Sequence, residues 1–146
     1  MPLVERSALV HYSAEQMFDL VADIDSYPQF LPWCAGTRVI ADPAGGVDAS
    51  IDLAYLGIRA RFTTRNVHRY PEKIDMSLVE GPFRSLVGHW SFRPLRAGAS
   101  KVQLSLNYEF VSGLLGAAVA PVFDTIANSL VDSFAERAET LYGPTE

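Results

Sequence analysis

Three histidines, one cysteine and the acidic residues are the side chains of this 146-residue sequence that could do acid–base, nucleophilic or metal chemistry. His11 follows the first predicted strand, and His68 and His89 fall on or near the outward side of theirs, so no histidine is placed to act as a base inside a pocket. Glu80 has the same alternation phase as the inward residues of its predicted strand. It stands at the end of that strand, however, which favours a position at the rim of a pocket. No His or Cys pair has the spacing of metal ligands, and no phosphate-binding glycine motif is present. The pattern predicts a protein that is not an enzyme and requires no cofactor.

Cys34 stands alone, so no disulfide can form within the chain. We interpret it as a small apolar filler rather than a nucleophile, because no histidine partner is evident. A lone cysteine fits a reducing compartment, and Glu5 and Arg6 interrupt the stretch where an export signal would need its uncharged segment. We therefore expect a cytoplasmic protein. The formal net charge of −5 argues against non-specific attraction to nucleic acid, and no DNA partner is expected.

One predicted strand, beginning at residue 58, carries arginines on its outward side. This arginine stripe could contact RNA phosphates. It could instead pair with aspartates of the preceding strand on a solvated face, which is the interpretation that we favour. The arginine stripe consists of Arg59, Arg61, Arg65 and Arg69.

A series of strands and two helices must position these side chains. Residues 3–10 predict a strand, and Ser13 with Gln16 forms a capping box for a short helix, SAEQMFDLVADI. Period-2 alternation predicts about six further strands, joined by short turns that favour antiparallel hairpins. From Leu114 onward, apolar residues recur every three or four positions, which predicts one long amphipathic helix. Pro121 is expected to kink this helix or to mark the first turn of its main segment. The further strands lie near residues 37–42, 47–55, 58–67, 74–78, 86–92 and 102–110.

The turn between two of these strands sets a register that a structure can test. If the turn centres on residues 56–57, Asp52 lies opposite Arg61. Asp48 then lies opposite Arg65 on the same outer surface. The register is conditional, because such a turn needs positive φ and leucine at its first position disfavours it.

The number of elements predicts a sheet that curls around the long helix. Seven strands at about 4.8 Å spacing span roughly 30 Å, whereas a helix with its side chains is only about 10–12 Å across. Where the grip is imperfect, we expect an internal hollow closed by loops and the short helix. The alternative, a fully packed core with no hollow, remains open on periodicity alone.

Strand parity and the proline-containing stretch at residues 26–34, SYPQFLPWC, give the predicted walls of the hollow. Its two prolines predict a stiff loop that stops the preceding helix and carries apolar side chains inward as a wall or lid. Thr64 and two tyrosine hydroxyls could hydrogen-bond a polar group of a hydrophobic ligand. The predicted cavity residues are Phe30, Leu31, Trp33, Tyr55, Phe62, Met76, Leu78, Trp90, Phe92, Leu106, Tyr108, Val119, Phe123 and Ile126.

The order of elements and several motifs resemble a known family along nearly the whole chain. The matching segments are RSALVHYSAEQMFDLVADIDSYPQFLPWC, RFTTRN, SLVEGPFRSLVGHW and the helix around VFDTIANSLVDSFAERAETLY. The sequence is similar to the START-like, helix-grip (SRPBCC) proteins of the coenzyme-Q-binding and bacterial ribosome-association-toxin group, also described as oligoketide cyclases. Residues 30–33 match the family's loop motif and residues 81–83 match its second motif, so the resemblance adds Phe83 to the predicted cavity residues.

The resemblance implies an α+β helix-grip fold in one domain over residues 1–146. Its parts are a curved antiparallel sheet of about seven strands around a long C-terminal helix, short helices after the first strand, and an internal hydrophobic cavity. The implied function is non-enzymatic binding of ubiquinone or a related prenyl lipid in support of respiration. For some bacterial members the family implies instead a toxin that binds the large ribosomal subunit and blocks subunit joining. A polyketide cyclase-type enzyme is the third alternative.

The expected location is the bacterial cytoplasm, peripheral to the inner membrane when ligand is exchanged. The longest uncharged apolar-rich run, residues 110–123, is shorter than the roughly 20 residues that a spanning helix needs. This run could touch a lipid surface transiently, although its position between a strand and the long helix also gives it a purely structural role.

Overall fold

The computed structural model describes residues 3–41 and 46–143, and its elements follow the predicted order. The strands are β1 (Leu3–Val10), β2 (Cys34–Ala41), β3 (Gly46–Tyr55), β4 (Ile58–Arg69), β5 (Lys73–Glu80), β6 (Phe83–Arg96) and β7 (Ala99–Phe110). The helices are α1 (Ala14–Ala22), a 3-10 helix (Ile24–Gln29) and α2 (Leu114–Tyr142). Asp42, the predicted last residue of the second strand, lies outside the described residues.

The strands form an antiparallel sheet in the order β1-β7-β6-β5-β4-β3-β2. Strands β2 to β7 pair with their sequence neighbours as predicted, whereas β1 pairs with β7. β1 and β2 therefore occupy opposite edges although they are consecutive along the chain. Residues 11–33 must cross the sheet between these edges, and on the way α1 contacts β6 and β7 while the 3-10 helix contacts β2. The crossing brings the short helices onto the face that α2 also covers.

The turn between β3 and β4 has the predicted centre and gives the predicted register. Asp52 pairs opposite Arg61, and Asp48 pairs opposite Arg65. Leu56 adopts φ of 49° and the following glycine 81°, so leucine accepts the left-handed conformation that this two-residue turn requires. The strain falls on an exposed side chain, because Leu56 is 81% accessible.

The capping box of α1 forms as predicted, and a second short helix follows it as the resemblance implied, so the loop predicted over residues 26–34 is confined to residues 30–33. Ser13 Oγ accepts from the Gln16 amide at 3.1 Å, and Gln16 Oε1 accepts from the Ser13 amide at 2.8 Å. Beyond α1 the chain turns into a 3-10 helix that contains Pro28. A proline is tolerated there because the adjoining turns close separately, with Ser26 donating to the Asp23 carbonyl and Phe30 to the Tyr27 carbonyl.

Helix α2 packs on the sheet chiefly at β1, β7 and β4. Its buried side chains recur at the predicted spacing, and the polar residues of the opposite side, such as Asp132 and Glu136, are exposed. Pro121 lies inside the helix, beyond its first turn. Because the sheet curves around α2, side chains from both meet in the middle and leave space between them. The buried side chains of α2 include Val119, Phe123, Ile126, Val131 and Phe134.

Candidate ligand-binding cavity

An apolar cavity of about 80 Å³ lies between the concave face of the sheet, α2 and the segment that crosses the sheet. The sheet contributes Ile51, Phe62, Thr64, Asn66, Met76, Leu86, Trp90, Leu104 and Leu106. Helix α2 contributes Phe123, Ile126, Ala127, Leu130 and Phe134, and the crossing segment contributes Ile24, Tyr27 and Trp33. Both tryptophans of the chain therefore line the same space.

The cavity meets solvent on one side. Ile51, Phe62, Met76 and Leu130 are half-buried, whereas the other lining residues are buried. These four belong to β3, β4, β5 and α2, so the accessible side lies between the middle strands and the long helix. A larger groove of about 600 Å³ beside the end of β1 is open and includes His11 and Glu139, so it lacks an apolar enclosure.

Seven of the predicted cavity residues line this cavity. They come from the crossing segment, from inward positions of four strands and from α2, which is the distribution that strand parity and helical spacing predicted. The seven are Trp33, Phe62, Met76, Trp90, Leu106, Phe123 and Ile126.

A second group of predicted residues lies in a solid aromatic cluster instead. Phe83 contacts Phe123 edge-on at 4.9 Å between ring centroids and stacks on Phe110 at 4.9 Å. Tyr108 contacts Phe123 at 4.9 Å, and its hydroxyl donates a hydrogen bond to Asp124. We call Phe83, Tyr108, Phe110 and Phe123 the aromatic cluster. Phe83 and Tyr108 do not line the cavity because these ring contacts fill the space around them.

Four more predicted residues are inside the protein but off the cavity lining. Phe92 packs edge-on against Phe18 of α1 at 5.6 Å, and Leu31 and Val119 are almost fully buried. Leu78 is half-buried against the core. Inward parity placed these side chains correctly in the interior, but it does not separate packed positions from hollow ones.

The predictions for Tyr55 and Phe30 as inner walls are wrong. Tyr55 is the last residue of β3 and is 38% accessible, because it lies at the end of the strand, beyond the covered part of the concave face. Phe30 is half-buried on the outer side of Phe134, at 5.4 Å between ring centroids. The guanidinium of Arg137 lies 4.9 Å from the centre of the Phe30 ring, and Arg137 also donates to Gln29. Phe30 thus fastens the crossing segment to α2 from outside the cavity.

Asn66 is a cavity residue that strand parity could have identified. Phe62, Thr64 and Asn66 alternate along β4 on the concave face, and Thr64 and Asn66 are each 5% accessible. Thr64 Oγ1 donates to Asn66 Oδ1 at 2.8 Å. The two side chains form the polar group of an otherwise apolar lining, in place of the tyrosine hydroxyls that the sequence suggested.

The prediction that His68 points outward is also wrong. His68 continues the concave series of β4 and meets Phe18 edge-on at 5.6 Å. Its Nε2 is buried without a hydrogen-bond partner, and burial lowers the pKa of the imidazole. Because histidine is polar, the sequence suggested the solvent-facing side of the strand. In the structure, α1 covers this end of the concave face.

The ionisable groups near the cavity are held in their neutral forms. Burial, with smaller contributions from Cys34 and Asp23, raises the pKa of Tyr27, whose hydroxyl donates to the Val21 carbonyl. Burial also raises the pKa of the Cys34 thiol, which disfavours the reactive thiolate. Glu80, at the end of β5, is exposed as expected for a rim residue. Within residues 3–41 and 46–143, no group of three or more His, Cys, Asp or Glu side chains could hold a metal ion.

The arginine stripe lies on the convex face, and Arg61, Arg65 and Arg69 of this stripe pair with carboxylates. Arg61 binds Asp52 at 2.5 Å, and a hydrogen bond from Arg65 at 2.9 Å lowers the pKa of Asp48. Arg69 binds Asp75 at 3.3 Å. The Arg61 and Arg65 pairs are those of the favoured cross-strand interpretation, whereas Arg69 pairs with the following strand, β5. The side chains stay accessible, 72% for Arg61.

A curved antiparallel sheet gripping a long helix around an apolar cavity defines the helix-grip class of binding folds. Comparison of the sequence with protein families gives a match over residues 10–135 to the family described as polyketide cyclase/dehydrase and lipid transport. The chain belongs to this family.

Relatives and solved structures agree on the fold and differ in named activity. The chain is 44% identical over 142 residues to the ribosome association toxin RatA of Escherichia coli K12, covering 97% of this chain and 90% of the toxin. It is 26% identical to the mitochondrial coenzyme Q-binding protein COQ10 homolog B of Xenopus laevis, covering 96% of this chain and 59% of that protein.

Two solved structures confirm the START-like architecture. A START superfamily protein from Mycobacterium smegmatis is 24% identical with a TM-score of 0.79, covering 95% of this chain and 98% of that one. The Zhui aromatase/cyclase of Streptomyces is 15% identical with a TM-score of 0.82, covering 99% of both chains. At these identities the likeness shows the fold alone. No helix among the described residues is both long enough and apolar enough to span a membrane.

Proposed function

We propose that this protein binds a small hydrophobic ligand in the cavity between the sheet and α2, and that it does so without chemical turnover. The observation that carries the proposal is the lining itself: aromatic and aliphatic side chains around one buried polar pair, Thr64 and Asn66. Ligand sites of this composition use apolar walls for affinity and a few polar groups for orientation. The neutral tyrosine and thiol near the cavity supply no acid–base pair, which favours binding over catalysis.

Ubiquinone or a related prenyl lipid is the ligand class that we propose, in support of respiration. The prenyl chain suits the apolar lining and the oxygenated ring suits the polar pair. Similarity to a protein named for coenzyme Q binding supports this choice. A lipid ligand would be collected at the membrane surface, so we also propose a cytoplasmic location with transient contact with the inner membrane.

The cavity must widen to admit such a ligand. Its 80 Å³ is well below the roughly 300–1,000 Å³ of typical ligand sites. The half-buried residues Ile51, Phe62, Met76 and Leu130 mark the side on which α2 and the middle strands can separate at the lowest free-energy cost. Separation on this side would newly expose less apolar surface than separation at the buried wall.

Titration of delipidated protein with ubiquinone carrying two isoprene units tests the proposal. Trp33 and Trp90 both line the cavity, so their fluorescence should change saturably. Ala127→Leu adds bulk at the buried cavity wall and should weaken binding, whereas Ala118→Leu places the same change on the exposed side of the same helix and should not. A flat fluorescence response from folded wild-type protein would refute quinone binding.

Association with the large ribosomal subunit is a second candidate, favoured by the 44% identity to a ribosome association toxin along 97% of this chain. We propose that such binding would block subunit joining and would use the accessible arginine stripe. Expression of the protein should then increase free subunits in sucrose gradients. Arg59→Glu combined with Arg61→Glu should reduce the effect, while Arg93→Glu, an exposed change on β6, should not. Unchanged gradients with wild-type protein would remove this candidate.

A further inference from the structure

The amide group of Asn66 is the most unusual polar group of the cavity. The side chain is 5% accessible, yet its one hydrogen bond within the described residues is the one that Oδ1 accepts from Thr64. The amide nitrogen carries two N–H donors and bonds to neither backbone nor side chain there. Asn66 lines the cavity, so these donors face a space otherwise walled by hydrocarbon.

An unpaired amide in this position becomes costly once an apolar ligand covers it. The amide nitrogen keeps some accessible surface toward the cavity, and a ligand without an acceptor would bury its donors without a partner. On the pleated concave face, Asn66 stands opposite Val47 on β3 and Met76 on β5, whose side chains offer no oxygen or nitrogen acceptor and only the weakly accepting thioether of Met76. The neighbouring position on β4 is occupied by the hydroxyl that already binds Oδ1. A ligand atom is therefore the acceptor that the site lacks.

We infer that the cavity selects ligands bearing a hydrogen-bond acceptor oxygen, above all a carbonyl, on an apolar body, and that Asn66 Nδ2 donates to this oxygen. Thr64 is a positioning residue. Its hydroxyl donates to Oδ1 and thereby turns the nitrogen, rather than the oxygen, toward the ligand. A ligand that only donates hydrogen bonds would leave Nδ2 unpaired and is disfavoured. The inference rests on the proposed binding function and specifies its ligand class.

A matched pair of probes tests the inference directly. Acetophenone and α-methylstyrene share one skeleton, but the first has a carbonyl oxygen where the second has a methylene group. Their dissociation constants are measured by NMR titration on wild-type protein and on Asn66→Leu, Thr64→Val and the control Asn107→Leu, whose residue is exposed on β7. Preserved backbone spectra establish that each variant is folded.

The expected result is that Asn66→Leu lowers the preference for the ketone over the hydrocarbon by about threefold to tenfold, the range for one hydrogen bond. Thr64→Val should lower it less, and Asn107→Leu should leave it unchanged. In wild-type protein the Asn66 side-chain amide protons should shift on adding acetophenone and not on adding α-methylstyrene. A preference that stays the same in folded Asn66→Leu overturns the inference while leaving hydrophobic binding intact. Failure of both probes to bind wild-type protein counts against the cavity function itself, and the inference falls with it.

Discussion

The cavity and the aromatic cluster are neighbouring parts of one interior, yet one is hollow and the other is filled. In the aromatic cluster, rings from β6, β7 and α2 meet at centroid distances of 4.9–6.3 Å. Beside the cavity, short side chains such as Thr64 and Ala127 occupy inward positions. Gly88 also lies here, and a Cβ on it would come within 2.5 Å of Leu106 and 3.3 Å of Met76. At Gly88 the side chains of Leu106 and Met76 already fill the space that a Cβ would need. The short side chains of Thr64 and Ala127 leave space between sheet and helix that rings fill in the aromatic cluster.

An apolar cavity lining and a filled core are therefore built from the same types of residue. Both regions are apolar and inward, and both contain residues that parity assigns to the interior. The two regions differ in how completely the summed side-chain volume fills the space between the sheet and the helix. The two regions should therefore respond differently to mutation: the aromatic cluster through stability, and the cavity through ligand binding.

The largest effect is expected from Phe83→Ala. Removing this ring leaves a void among Phe110, Tyr108 and Phe123, and the free energy of unfolding should fall by about 3–5 kcal/mol. Urea unfolding monitored by circular dichroism measures it. Val87→Ala on the same strand, 59% accessible, should stay within about 0.5 kcal/mol of wild type. A loss from Phe83→Ala no larger than that of Val87→Ala would mean that the cluster is not tightly packed.

A smaller effect is expected from removing one hydroxyl in each region. Tyr108→Phe deletes a bond to a carboxylate and should cost about 1.5–3 kcal/mol, whereas Tyr27→Phe deletes a bond to a neutral carbonyl and should cost about 0.5–1.5 kcal/mol. Chemical unfolding at pH 7 compares them. The reverse order would indicate that the Tyr108 bond to Asp124 is weakened by solvent.

The same tyrosines predict how stability depends on alkaline pH. Burial raises the pKa of both, and for Tyr108 the bond to Asp124 raises it further. Below about pH 10, the ordinary tyrosine pKa, both folded and unfolded states keep the proton and the stabilisation is complete. Above it the unfolded state ionises first, so stability should fall with rising pH. Either Tyr→Phe variant should show a shallower fall than wild type in unfolding experiments between pH 9 and pH 11, taken as about one unit on either side of the tyrosine value. An equally steep fall would contradict the raised pKa of the tyrosine removed.

The smallest effect is expected on the convex face. Asp52→Asn removes the charge opposite Arg61, but both side chains are accessible and solvent screens them. The unfolding midpoint should move little, and the difference from wild type should disappear in high salt. A large, salt-independent loss would show that the outer face contributes to stability as the interior does.

Much of the fold could be predicted because its signals are local. Ser13 and Gln16 specify the start of α1, and the charges of Asp48 and Asp52 match Arg65 and Arg61 across the β3–β4 turn. The residue pattern alone placed a loop where the 3-10 helix lies, because Pro28 is read as a helix stop while the short turns around it close independently, whereas the family resemblance implied short helices there. Leu56 shows the opposite case, since the pairing of two long strands outweighs a locally unfavourable φ.

The site could be predicted only in part. Parity along β4 placed Phe62 and Thr64 inside. The same parity extends to Asn66, which was assigned to neither face, and to His68, whose polarity suggested the wrong face. Tyr55 continues the inward series of β3, but the strand ends at this residue. The point at which a strand ends depends on its partner strands. The distances between the sheet and the helix decide which inward residues surround a hollow. Sequence periodicity carries no information on these distances.

The proposal that ligand occupies the cavity and not the surface can be tested by methyl NMR. Protein with labelled methionine, leucine and isoleucine methyl groups would be mixed with ubiquinone carrying two isoprene units, and nuclear Overhauser contacts recorded. We expect contacts from the ligand to Met76, Leu104 and Ile126, which line the cavity. Contacts confined to exposed methyls such as those of Leu56 and Leu114 would contradict it.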